Sequence, residues 1–154
     1  MLARCLPFLL LLFAACGTVH DWRELKTAPM TFGECYTGIV EIASRELRSD
    51  DSVSDRGLGI WQSRWRTKML ERNFLGRQRL RVEVLLDEGS ATDGWPIRYV
   101  VEQQKVEDLR RFTDPREDDW SDAGQDREAE TLLGERLLRR LAPKAAGTPE
   151  QRRP

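Results

Sequence analysis

The chain has 154 residues, 40% hydrophobic and 33% charged, which leaves room for one domain with a small core. With 25 basic against 26 acidic residues the formal net charge is -1, so the positive excess that a nucleic-acid partner requires is missing. Five tryptophans are more than a disordered chain normally carries, and a globular fold is expected.

The first sixteen residues hold one positive charge at Arg4, an apolar run from Leu6 to Phe13, then Ala14, Ala15 and Cys16. The run is far shorter than the roughly 20 residues a membrane-spanning helix needs, and its order of charge, apolar run and small residues is that of an export signal. The stretch Phe13-Ala14-Ala15-Cys16 resembles the lipobox of bacterial lipoproteins, in which a peptidase cuts just before a cysteine that has been acylated. That family prefers leucine three places before the cysteine, where Phe13 stands here. The resemblance implies a signal peptide over 1–15, lipid on Cys16, and a membrane partner through that anchor. Gly17 is not the aspartate that holds such lipoproteins in the inner membrane, which implies the outer membrane, facing the periplasm. The alternative is ordinary cleavage at Ala15-Cys16-Gly17, which would release a soluble secreted binding or inhibitor domain. With Cys5 in the signal and Cys16 lipidated, Cys35 has no partner for a disulfide and reads as a small buried hydrophobe on a helix.

Residues 16–30 show no sustained period and end near Pro29, so they read as a lipidated tether. Thr31 and Glu34 fit a capping box. From Phe32 through Cys35, Tyr36, Ile39, Ile42, Ala43 and Leu47, the apolar residues recur at helical spacing to about Arg48. Ser49 to Gly57 is a polar loop. From Leu58 the period becomes two, which predicts one strand with Trp61, Ser63, Trp65 and Thr67 inward and Gln62, Arg64, Arg66 and Lys68 outward. After a turn at 73–76, Leu80, Val82, Val84 and Leu86 mark a central strand. After a second turn at 87–94, Ile97, Tyr99 and Val101 mark a third, which begins at Pro96 or lies at an edge. Residues 106–120 are charged and irregular. A last helix is predicted from Ser121 or Asp122 to Leu141, with Ala129, Leu132, Leu133, Leu137 and Leu141 on one stripe, acids at its start and Arg136, Arg139 and Arg140 at its end. Residues 143–154 read as a disordered tail. The expectation is α+β: a single α-β-β-β-α domain over 31–142, a three-stranded antiparallel meander with both helices on one face.

Few residues offer chemistry. His20 is the only histidine, and it lies in the tether segment, which removes His-based triads and His-rich zinc sites. The acids Glu117, Asp118, Asp119 and Asp122 lack the spacing and the central glycine of a calcium loop and read as a solvated helix start. Gly57-Leu-Gly59 lacks the third glycine of a dinucleotide fingerprint and leads into a strand. No cofactor, metal or catalytic residue is expected. The remaining constellation is basic: if the apolar sides face the helices, Arg64, Arg66, Arg79, Arg81 and Arg98 share the opposite face. Such a face suits anionic lipid headgroups, glycan phosphates or an acidic envelope protein. Its bland counterpart is a solvated face neutralised by Glu83 and Glu102. The chain as a whole looks like the small envelope lipoproteins that serve as scaffolds or adaptors, which implies a non-enzymatic, membrane-anchored periplasmic adaptor.

Overall fold

The computed structural model of the protein describes residues 20–70, 74–107, 110 and 114–143. The signal segment 1–15, Cys16 and all but the first residue of the 143–154 tail lie outside the described residues. In chain order the elements are β1 (Arg23–Lys26), α1 (Phe32–Glu46), β2 (Ile60–Gln62), β3 (Arg66–Met69), β4 (Leu75–Val84), β5 (Pro96–Val106), β6 (Trp120–Gln125) and α2 (Arg127–Leu141). The class is α+β, with two helices packed on an antiparallel sheet of six strands.

The sheet is built on its two long strands, because only these can bury a run of alternating apolar residues. In the β4–β5 pair, Leu80 faces Val101, Val82 faces Tyr99 and Val84 faces Ile97, all toward the helices. β2 and β3 lie end to end along the outer edge of β4, and β1 and β6 along that of β5. The sheet is therefore larger than a three-stranded meander. β1 falls within the segment read as a tether: Arg23-Glu-Leu-Lys is too short and polar to show a period, and it is a strand because its backbone pairs with Tyr99 through Pro96. β6 falls where the last helix was expected to begin. Gly124, at φ +85°, and an unpaired Ala123 mark a bulge there, and α2 starts only after Asp126 accepts from the Ala129 N–H at 3.0 Å.

α1 begins as its sequence predicts. Thr31 Oγ1 accepts from the Glu34 N–H at 3.3 Å, and Glu34 Oε2 accepts from the Thr31 N–H at 2.9 Å. Its Cys35, Ile39 and Ala43 are fully buried against the sheet and α2. At the helix crossing Gly38 is required: a Cβ there would come within 2.5 Å of Leu141 Cδ2. Leu133, Leu137 and Leu141 of α2 close the core as predicted, while Leu132 of the same stripe stays 47% exposed.

One irregularity decides which side chains reach which face. From Gln62 to Arg66 the chain takes four steps, while its partners on β4, Arg81 to Gln78, take three. With side chains alternating at period two, an extra residue reverses every side chain beyond it. Trp61 therefore points into the core, 2% exposed, as predicted. Trp65 does not: it emerges on the face without helices, and Arg66 and Lys68 turn to the helix side. The inserted turn is held by Ser63, whose N–H donates to Leu80 O and whose Oγ accepts from the Leu80 N–H, both at 2.9 Å.

Candidate functional site

The face of the sheet opposite the helices carries Arg77, Arg79 and Arg81 of β4 at alternate positions, with Arg98, Glu102 and Gln104 of β5 beside them. Successive same-face residues on a strand stand about 7 Å apart, so bare guanidinium groups there would repel. Tryptophan rings separate them. Trp65 lies between Arg77 and Arg79, at 4.6 and 4.4 Å, Trp120 covers the other side of Arg77 at 4.5 Å, and Trp22 lies against Arg98 at 4.8 Å and Arg81 at 5.9 Å. Each such contact contributes about 0.5–2 kcal/mol depending on desolvation. The stack shields Val100, which is fully buried on this face.

Carboxylates complete the ladder. Glu102 accepts from Arg79 Nε at 2.7 Å; Glu83 accepts from Arg98 Nε at 2.7 Å and pairs with Arg81 at 2.6 Å. Arg77 makes a fork to Glu117, at 2.9 and 2.5 Å, and donates from Nε to Gln104 at 2.7 Å. The Arg77 bond holds the Glu117 carboxyl below the usual carboxylate range. His20 Nε2 stands 3.0 Å from Glu102 Oε1, without the alignment of a hydrogen bond.

Of the five arginines expected to share this face, Arg79, Arg81 and Arg98 do so, and all three are paired with Glu83 or Glu102. Arg66 is a correction: the extra residue before β3 sends it to the helix side, where its Nη1 donates to Glu46 O at 3.2 Å. Arg64 sits in the irregular turn itself, outside the period that was to align it, and its N–H bonds Arg48 O. Arg77, Trp22 and Trp120 were missed. Arg77 continues the i, i+2 series of Arg79 and Arg81 one step earlier, a signal obscured by its nearness to the expected turn. Trp22 and Trp120 lay in segments without periodicity.

A second site is formed on the other side of the sheet. Leu47, Leu80, Val101, Ala129 and Leu133 enclose a cavity of about 130 Å³, with Gln78 also in its wall. Arg66, Glu46 and Arg136 rim it. Glu46 and Arg136 also border a wider cleft of about 430 Å³ between the helices, lined by Glu41, Arg45, Arg139 and Arg140. Glu41 pairs with Arg45 at 2.8 Å and Arg140 at 3.0 Å, and Glu46 pairs with Arg136. Arg66 and Arg139 have no carboxylate partner among the described residues; Arg139 donates to the Glu135 carbonyl alone. Of the five arginines expected to share one face, only Arg66 lies here.

Other reactive groups are closed. Cys35 is fully buried on α1, and burial pushes its thiol up to about 11, which removes thiolate chemistry at neutral pH. Glu130 is fully buried and accepts from the Val101 N–H at 3.2 Å, Gln125 Nε2 at 2.9 Å and Arg127 Nη1 at 3.0 Å, which ties α2 to the end of the sheet. Among the described residues no three His, Cys, Asp or Glu side chains converge as metal ligands, and no helix is long and apolar enough to cross a membrane. Compared with protein-family models, curated proteins and solved structures, the chain gives no match.

Proposed function

We propose that the chain is a lipid-anchored, non-enzymatic adaptor of the bacterial cell envelope, held close to the outer membrane through Cys16 and presenting the helix-side groove to a partner in the periplasm. The observation that carries this reading is that His20 and Trp22, close to Cys16 in sequence, lie against the Trp–Arg face, beside Glu102 and Arg98. Four residues reach at most about 14 Å, so an acylated Cys16 would keep that face within a short distance of the bilayer. The groove, on the opposite side of the sheet, would then point away from it. The ladder fits the inner position because its four guanidinium groups are already paired with Glu83, Glu102 and Glu117.

Anchoring is tested by growing cells with an alkyne fatty acid and comparing the chain with its Cys16→Ala variant. Label that enters the first and not the second supports the reading. An unlabelled, soluble mature chain would favour the released secreted domain instead.

A further inference from the structure

The groove on the helix side combines two features that the ladder face lacks. It has two guanidinium groups without a carboxylate partner among the described residues, Arg66 at the cavity and Arg139 at the adjoining cleft. It has an apolar cavity of about 130 Å³, room for on the order of four or five water-sized groups.

From these we infer that the groove binds an acidic peptide segment of a partner protein, which seats one leucine-sized side chain in the cavity and its flanking carboxylates on Arg66 and Arg139. The volume suits a single aliphatic side chain and is too small for a fatty acyl chain. Counting the rim of both cavities, Arg45, Arg66, Arg136, Arg139 and Arg140 face only Glu41 and Glu46, so the site favours negative charge. The partially exposed Leu132 stands at the mouth, where it would shield the seated side chain from water.

This inference rests on the adaptor reading only in supposing a protein partner, and its test is independent of lipid. The mature chain carrying Cys16→Ala is titrated into a fluorescein-labelled octapeptide of aspartate and glutamate with one central leucine, and into the same peptide with glycine in place of leucine. The leucine peptide should bind at least about tenfold tighter, since burying one aliphatic side chain is worth that much. Arg66→Glu and Arg139→Glu should each weaken it about tenfold or more. Absence of binding at millimolar peptide, equal binding of the glycine peptide, or insensitivity to both arginine reversals would overturn the inference. So would binding to phosphatidylglycerol vesicles that the same reversals abolish while the peptide stays unbound. A failed peptide titration beside positive fatty-acid labelling would remove the groove's ligand and leave the anchor in place.

Discussion

The two faces of the sheet treat arginine in opposite ways. On the open face, four guanidinium groups are interleaved with Trp22, Trp65 and Trp120 and held by Glu83, Glu102 and Glu117. On the helix side, Arg66 at the apolar cavity and Arg139 at the adjoining cleft have no such partner among the described residues. A charge whose demands are met inside the protein stabilises the fold and has little left for a ligand. One without a partner contributes little to the fold and remains open to an anion. In this molecule the ladder does the work of a second packing layer, covering Val100 where no helix lies, and the groove is the surface free to recognise something.

If that contrast is right, substitutions on the ladder should move stability and those on the groove should not. The largest effect is expected at Trp65, whose ring touches two guanidinium groups: Trp65→Ala should cost about 3 kcal/mol in urea unfolding. A loss near zero would mean that the ladder is ornamental. Glu83→Gln comes next, because it leaves Arg81 and Arg98 without their shared charge at a position only 7% exposed, and it should cost about 2 kcal/mol.

Asp126 joins α2 to β3, since it caps the helix and receives Lys68 Nζ at 2.6 Å. Burial pushes its carboxyl up, but the Lys68 bond, the Ala129 N–H and the Gln103 amide together carry it below the ordinary value. A carboxyl lowered in the folded state stabilises above its unfolded value, near pH 3.9, and that stability is lost as the pH falls through the lower, folded value. Asp126→Asn should therefore cost about 1 kcal/mol at pH 7 and flatten the loss of stability below about pH 4, read from urea midpoints across pH. The smallest change belongs to the groove: Arg139→Glu should shift stability by no more than about 0.5 kcal/mol. A larger shift would show that Arg139 has a structural task.

Much of the fold was legible because its signals are local or strictly periodic. The Thr31–Glu34 box, the stripe of α1 and the alternation of Leu80, Val82 and Val84 each report a burial pattern that neighbours in sequence suffice to specify. β1 and β6 escaped, since short segments of four and six residues with no apolar alternation become strands only when β5 offers them a ladder. The candidate site was half legible. Arg79, Arg81 and Arg98 obey the alternation and do share a face, but that face already contains their carboxylates. Arg66 breaks the alternation because a single residue is added opposite Leu80, and no property of the segment Ser63-Arg64-Trp65 announces it.

Composition and pattern alone determined that this is a small α+β domain, with a capped first helix and a central apolar strand, because each of these depends on residues close together in the chain. Only the tertiary structure decided that Trp65 lies among the arginines and Arg66 beside the cavity. The face a side chain takes depends on register, and register is set by pairing between distant strands.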